Sequence, residues 1–423
     1  MATILAYTSP ALGHLYPICA LLSELHRRGH RIALRTLAAG VSTGRQLGFV
    51  TEAIDPRIED IVMSDWTAPN NRAALKLSCD IFSQRAAHEI GDLRRSIEVV
   101  RPEAVIVDAN CWGAAAVADA GELPWCSFWP FTPFLRSRGA PPFGPGLRPW
   151  PGVAGGLRDA ALRPIVLGVV EKAMLGPLNT VRAEAGAAPV RSADEFARRA
   201  PLILVATGEP FEYPHPDWGD SVQMIGPCDF DPPAGDPPDW LGDIERPIVL
   251  VTVSSERQDD IGLGLTAMEA LADQPVHVVV TLPLGVPAGV TPPPNATVKT
   301  FVPHGAVLDR AVCTVTHGGM GSTQKALARG VPVCVVPHGR DQFEVARRVE
   351  VSGSGTRLPA KKLTPARLKC KVLQAMSMAD RAQRVAEGFA ATGGVSRGAD
   401  LVERRLLGQP ANRDVEPAAT DDR

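Results

Sequence analysis

Along the chain, short runs of consecutive apolar residues alternate with longer stretches in which apolar residues return every three or four positions. The first run is ATILAYTS; the segment after it carries Leu15, Ile18, Leu22 and Leu25 on one helical face, with Gly29 as its stop. HRIALRT, GFVTEAI, EAVIVDA, PWCSFWP and LILVATG continue as strands. Runs that are apolar at every position predict strands buried on both faces, as in a parallel sheet covered by helices. From Pro214 to Pro247 there are eight prolines with Asp and Gly among them, a density that neither a helix nor a sheet interior tolerates. The alternation then resumes with PIVLVTVSS, a helix near 261–273, VHVVVTL, TVKTFV, CTVTHG, a helix near 320–329, PVCVVP and a helix from about 342.

The pattern predicts an α/β protein of two Rossmann-like, doubly wound parallel-sheet domains. The first is placed at 1–213 and the second at 248–407, with a Pro-rich linker at 214–247 between them. Helical segments over about 365–407 close the second domain, and a polar tail at 408–423 is predicted to be disordered. A length of 423 residues suits two or three domains at about 150 residues each.

Composition narrows the function. Lys plus Arg is 44 against 46 for Asp plus Glu, a net charge of −2, which leaves no electrostatic footprint for a nucleic-acid binder. The eight cysteines are scattered, with no Cys-x-x-Cys and no Cys/His ligand spacing. Neither a disulfide framework nor a structural zinc is expected, and a reducing compartment fits. The N-terminus runs straight into a strand, and no apolar run reaches about 18 residues, so a cytoplasmic protein without membrane insertion is expected.

In open α/β sheets, ligands bind beyond the carboxyl ends of the strands, and two segments there carry chemistry. Gly13-His14-Leu15-Tyr16-Pro17 opens the helix after the first strand. An imidazole at a helix N-terminus is kept neutral by the dipole and can act as a base; it can equally cap the helix or face solvent. Asp108 ends the strand EAVIVDA on the same sheet edge. It could orient such an imidazole, or serve as an N-cap. In the second half, His317-Gly318-Gly319-Met320-Gly321-Ser322-Thr323 follows a strand and opens a helix. Glycines allow close backbone approach, and exposed helix N–H groups suit a diphosphate; a capped Gly-rich turn has the same look. Gly339-Arg340-Asp341-Gln342 follows PVCVVP and offers acceptors and an amide donor for sugar hydroxyls, or a helix cap at Asp341.

Three further motifs are set aside. Asp229-Phe230-Asp231 has the spacing of a metal-binding DxD but lies in the linker, and is expected to be surface charge. Gly40-Val41-Ser42-Thr43-Gly44 matches a nucleophile elbow without a convincing Asp and His to follow. Gly262 to Ala267 loosely matches a dinucleotide motif, but SSERQDDI separates it from its strand.

Taken together, TSPALGH-LYP, VIVDAN, VLVTVSS and the run from FVPHGAVL through THGGMGST to VPHGRDQ resemble the GT-B glycosyltransferases that act on small lipophilic molecules. That family includes the bacterial antibiotic and macrolide enzymes and the UDP-glycosyltransferases. The resemblance covers nearly the whole chain and implies two domains facing a central cleft, with the closing helices crossing back onto the first. By that resemblance His14 is the general base and Asp108 its partner. Ser254, Ser255, Val302, His317, Gly319, Gly321, Ser322 and Thr323 would hold the nucleotide diphosphate, and Asp341 and Gln342 the sugar. Plant members carry a ribose-binding Glu where Lys325 stands here, and Trp and Gln where Phe301 and His304 stand.

Aromatic residues gather at Trp125, Phe128, Trp129, Phe131, Phe134, Phe143 and Trp150, followed by a Pro/Gly-rich stretch and an apolar helix near 160–176. They form either core or an apolar acceptor pocket with a lid. Trp66, Phe82, Trp112, Phe131 and Phe134 are the candidate acceptor contacts. The function expected is an inverting, metal-independent glycosyltransferase. Its donor would be a UDP- or dTDP-linked sugar and its acceptor a lipophilic molecule bearing a hydroxyl, with no resident cofactor. The chain is expected to be a monomer or homodimer. A nucleotide-sugar epimerase and a non-catalytic nucleotide-sugar-binding helper are the alternatives.

Overall fold

The structure, a computed structural model, describes residues 1–233 and 238–409. The first sheet contains β1 (Thr3–Tyr7), β2 (Arg31–Thr36), β3 (Val50–Ala53), β4 (Ala104–Asp108), β5 (Trp125–Trp129), β6 (Ile203–Val205) and β7 (Val222–Met224). Its spatial order is β3-β2-β1-β4-β5-β6-β7. The second sheet contains β8 (Ile248–Thr252), β9 (His277–Thr281), β10 (Ala296–Lys299), β11 (Ala311–Thr316), β12 (Val333–Val335) and β13 (Gly355–Arg357), in the order β10-β9-β8-β11-β12-β13. Every pairing is parallel. β4, β5 and β8 are buried at every position, which is why their sequences are apolar without alternation.

Each sheet has a core on both faces. On β1, Ile4 and Ala6 meet Leu15, Ile18 and Leu22 of the helix Leu12–Arg27 on one side. Leu5 and Tyr7 meet Leu93 and Trp112 on the other, as the two-residue period of a strand requires. The aromatics of β5 are part of these cores: Trp125 and Trp129 lie on one face and Phe128 on the other.

Several elements differ from the sequence expectation. β7 lies inside the segment predicted as linker and pairs with β6, so the first sheet extends to Met224. Three residues flanked by prolines carry too little pattern to be seen. The helix Asn71–Val100 was not predicted, because the face it buries includes Arg85, Glu89, Asp92 and Ser96 among its apolar residues, which breaks the apolar period. The helix predicted near 160–176 runs from Gly152 to Ala185, with Pro164 and Pro177 inside it. Residues 234–237 of the linker and 410–423 of the predicted disordered tail lie outside the described residues.

Asp229 and Asp231 need a correction as well. They are not idle surface charge: Lys325 Nζ lies 3.1 Å from Asp229 Oδ1 and 2.7 Å from Asp231 Oδ1, and Arg329 also pairs with Asp229. Gly305 N donates to the other oxygen of Asp231 at 2.9 Å. The chain leaving the first domain is thus tied to the helix Met320–Leu327 of the second.

The last described helix crosses back. The helix Gly394–Arg405 packs Ala399, Leu401 and Val402 into the first domain's core. Arg28 Nη1 pairs with Asp400 and Glu403, and His30 Nε2 lies 3.0 Å from Glu403 Oε1. Among the described residues, no helix is long and apolar enough to cross a membrane. The eight cysteines are unpaired, and seven are buried.

Candidate functional site

Both sheets reverse their strand order at one point: between β1 and β4 in the first, and between β8 and β11 in the second. At such a point the connections leave in opposite directions and open a crevice beyond the strand ends. His14 follows β1 and Asp108 ends β4; Ser254 follows β8 and His317 follows β11. The two halves of the candidate site therefore occupy equivalent places in the two domains.

In the first domain, His14 stands in the first turn of the helix Leu12–Arg27. Its Nδ1 lies 2.9 Å from both carboxylate oxygens of Asp108. The carboxylate is buried and also accepts from Ser9 N at 3.1 Å, Ser9 Oγ at 2.7 Å and Asn110 N at 3.0 Å. Burial alone would raise the pKa of Asp108, but His14 and these donors hold it below the usual carboxylate value. The expectation that the helix dipole keeps His14 neutral is corrected here. Burial pulls the imidazole pKa down, but the charge and hydrogen bond of Asp108, with Glu256 and Asp341 of the second domain adding to them, raise it overall. Because an ionised carboxylate only accepts, His14 carries its proton on Nδ1 in the neutral state, which leaves the Nε2 lone pair free for chemistry. Asn110 Nδ2 lies 3.3 Å from that nitrogen.

In the second domain, Ser254 is buried after β8, its N donating to Asp260 Oδ2 at 2.7 Å and its Oγ accepting from Gln258 Nε2 at 2.9 Å. Ser255 is exposed. His317 is buried with Nδ1 unpartnered, 4.0 Å from Asp260 Oδ2. Burial is the main reason its pKa falls to about 4, and neighbouring His338 adds to the fall. His317 is therefore a neutral donor at pH 7. Gly319 lies beneath the imidazole: a Cβ there would come within 2.6 Å of Nε2. Gly321 is exposed at the start of the helix Met320–Leu327, Ser322 Oγ bonds Thr316 Oγ1 at 3.0 Å, and Thr323 is buried with an unpartnered hydroxyl. Val302 is buried beside an exposed Phe301.

The Gln342 side chain is committed to the protein. Its Oε1 accepts from His338 N at 2.8 Å and Gly339 N at 3.1 Å, and its Nε2 donates to Gln258. It shapes the loop that follows β12. Asp341 is half-buried, and burial pushes its pKa up.

The halves are joined across the cleft. Arg340, at φ 53°, reaches Asp65 of the first domain through Nε and Nη2, and Glu256 through Nη1 at 2.6 Å. Arg257 stacks on Trp66, 4.9 Å from the ring centre. Glu344 Oε1 accepts from Gly144 N and Gly146 N of the Pro/Gly-rich loop, each at 2.8 Å.

Comparison with known proteins gives this arrangement its family. Residues 266–395 match the family model described as "Erythromycin biosynthesis protein CIII-like, C-terminal domain". The chain is 30% identical over 418 residues to 4'-demethylrebeccamycin synthase of Lentzea aerocolonigenes, covering 95% of this chain and 99% of that protein. The chain belongs to the antibiotic glycosyltransferase family. A second relative, demethyllactenocin mycarosyltransferase of Streptomyces fradiae, is 26% identical over 96% of this chain and 87% of its own. Among solved structures, the glycosyltransferase of kitacinnamycin superposes with a TM-score of 0.73 at 24% identity, covering 96% of this chain and 99% of its own. Glycosyltransferase VinC in complex with dTDP gives 0.69 at 20%, covering 96% and 100%. The two parallel-sheet domains are the GT-B fold.

The residues expected to meet an acceptor separate into two groups in this glycosyltransferase. Phe131 lies beside the base candidate, its ring centre 5.6 Å from that of His14. Phe134 adjoins Trp129 at 4.8 Å and Phe143 at 6.4 Å, and Trp66 stands at the domain junction. Trp112 is placed differently: it is buried between Phe82 and Phe196 in the first core, so it and Phe82 support the helix wall. Asn110, Gln258, Asp260, His338 and the Arg340 pairing with Asp65 and Glu256 were missed by sequence reasoning. Each is a single polar residue in a loop or short turn, and its place at the site follows from the folded backbone, with no pattern in the sequence to mark it.

Proposed function

We propose that this glycosyltransferase moves a sugar from a UDP- or dTDP-linked donor to a hydroxyl of a lipophilic small molecule, with inversion at the anomeric carbon and without a metal. The observation that carries the reading is the His14 imidazole, fixed by Asp108 through Nδ1 at 2.9 Å and left with Nε2 toward the cleft. Nε2 takes the acceptor proton as the acceptor oxygen attacks the anomeric carbon from the face opposite the diphosphate. Asp108 stabilises the imidazolium that results, a service of the kind it gives in hydrolase triads. General-base help of this sort is worth about 10² to 10⁴ in rate.

On the donor side, the leaving diphosphate meets the His317 donor and the backbone N–H groups opening the helix Met320–Leu327. That a structural neighbour, glycosyltransferase VinC, was solved in complex with dTDP supports a nucleotide-linked donor. The Phe131 ring beside His14, with Phe134 packed on the neighbouring Trp129, supplies an apolar wall suited to a lipophilic acceptor.

The test begins with thermal shifts in saturating UDP, dTDP and NAD⁺. A ligand at about 100 times its dissociation constant adds roughly 2.7 kcal/mol to stability, and UDP or dTDP is expected to do so while NAD⁺ does not. The nucleotide found then guides an acceptor screen, in which His14→Ala abolishes transfer and keeps nucleotide binding. Stabilisation by NAD⁺ alone, or transfer retained by His14→Ala, overturns the reading.

A further inference from the structure

Asp108 holds more than the imidazole. The same carboxylate accepts from the backbone N of Asn110 at 3.0 Å, and Cys111 N donates to Asp108 O at 2.9 Å. The turn Asp108–Cys111 is closed further by Ala109 N donating to Phe128 O at 3.0 Å. The helix Trp112–Ala120 that follows is held from behind: Gly113 N and Ala114 N donate to the buried Glu89 Oε2 at 2.8 and 3.3 Å. With its backbone fixed on both sides, the half-buried Asn110 presents its carboxamide to the one nitrogen of His14 that Asp108 does not touch.

A carboxamide has a donor end and an acceptor end, and either can face Nε2. The neutral imidazole offers a lone pair there, which Nδ2–H fills at 3.3 Å. The imidazolium offers Nε2–H, which the same side chain receives on Oδ1 after a half-turn about its last bond. The second bond is charge-assisted, and such bonds are about twice as strong as neutral ones.

We propose that Asn110 is a positioning residue for the base: its amide caps Nε2 in the resting enzyme, yields to the acceptor hydroxyl, and turns over to hold the proton once it has been transferred. This deepens the reading of His14 as the base and rests on it. The consequence is directional. Asn110 favours the protonated product of the transfer step, so an apolar side chain of equal size weakens the base, and a carboxylate in its place traps the proton.

The charged groups facing His14 are Asp108 from the end of β4, and Glu256 and Asp341 from the second domain, with the Phe131 ring on the apolar side. All of them are the same in every variant below, so differences among the variants report on residue 110.

The experiment is a pH titration of ¹⁵N-histidine-labelled full-length protein by NMR, which needs no acceptor. The His14 signal among nine histidines is identified by its loss in His14→Gln. Wild type is expected to show the Nδ1–H tautomer in the neutral form. Asn110→Leu should lower the His14 pKa by about half a unit, a threefold change in the protonation constant. Asn110→Asp should raise it by about one unit or more, tenfold or more, since an opposite charge this near favours the cation. Opposite movement by two side chains of nearly equal size is what a merely structural residue does not give. Asn110→Ala replaces the Leu variant should that one fail to fold, with the same expected sign.

A His14 pKa within about 0.2 units of wild type in both variants, or moving the same way in both, overturns the inference. Its failure is separable from that of the base reading. Transfer surviving in His14→Ala removes the base and leaves the hydrogen bond, whereas an unmoved titration removes the role of Asn110 and leaves the base.

Discussion

The Arg340 guanidinium grips the Asp65 carboxylate with two parallel bonds, Nε to Oδ2 at 2.9 Å and Nη2 to Oδ1 at 2.8 Å, and so fastens the second domain to the first beside the cleft. The geometry is the fork that a guanidinium makes and an ammonium does not. Asp65 is nearly buried there, and Arg340 accepts a left-handed backbone to reach it.

Removing either partner should loosen the hold of one domain on the other. Asp65→Asn and Arg340→Met are each expected to increase the radius of gyration in small-angle X-ray scattering, and Arg340→Lys is expected to restore little. Chemical unfolding of the two single variants and the double should give a coupling of about 0.5 to 3 kcal/mol. Independent, additive effects would mean the pair does not hold the domains.

The pH dependence of transfer should follow His14. Its pKa is raised from the ordinary histidine value, chiefly because Asp108 outweighs the effect of burial. Only the neutral form can take a proton, so activity is lost as pH falls through that raised pKa and is full above it. Asp108→Asn removes the charge, so the acid limb should move to lower pH while kcat falls by about 10² or more. An acid limb that stays in place in Asp108→Asn would assign it to another group.

Lys325 should report on stability. Its ammonium is nearly buried between Asp229 and Asp231, so Lys325→Glu sets three carboxylates together. A loss of about 3 kcal/mol or more is expected in urea unfolding, with Lys325→Met milder. Burial works to raise the Asp231 pKa, but Lys325 holds it below the usual value. The stabilisation is therefore present above the unfolded carboxylate value, about 3.9, and disappears as pH falls through the depressed one. The gap between wild type and Lys325→Met should close on acidification; a constant gap would locate the effect in packing.

Gly319 should be intolerant of a methyl group. A Cβ would meet His317 Nε2 at 2.6 Å and Cε1 at 2.9 Å, so the imidazole proposed to meet the diphosphate must move. Gly319→Ala is expected to weaken UDP or dTDP binding by about tenfold or more, roughly 1.4 kcal/mol, with little change in unfolding. Calorimetric titration decides it, and unchanged affinity would separate His317 from the nucleotide.

What could be read from the chain follows from the range of the forces involved. Buried parallel strands announce themselves locally, because burial on both faces fixes their residue types. β4 and β8 are visible for that reason, and so are the residues at their ends. The helix Asn71–Val100 was hidden because Glu89, Arg85 and Asp92 do on its buried face what apolar residues usually do, and their partners are elsewhere: Gly113 N, Ile61 O and Tyr7 OH. β7 and β13, at three residues each, owe their existence to a neighbouring strand more than to their own sequence. Of the site, position puts His14 and Asp108 on one sheet edge and leaves a helix cap as the alternative for each; the family resemblance is what pairs them, and the pairing is present. Asn110 and the Arg340–Asp65 bond were not foreseeable, since nothing local marks one amide or one guanidinium out from many.

The returning helix Gly394–Arg405 bears on how the protein is made. Ala399, Leu401 and Val402 complete a core that begins with Ile4, and the Arg28 and His30 contacts with Glu403 seal it. During synthesis the first sheet can assemble early, with the helix Leu12–Arg27 on one of its faces, but the core on that face stays incomplete until residues 394–405 have been translated. The whole second domain is therefore translated while the first still waits for this helix. A chain cut short before Gly394 loses a piece of its beginning.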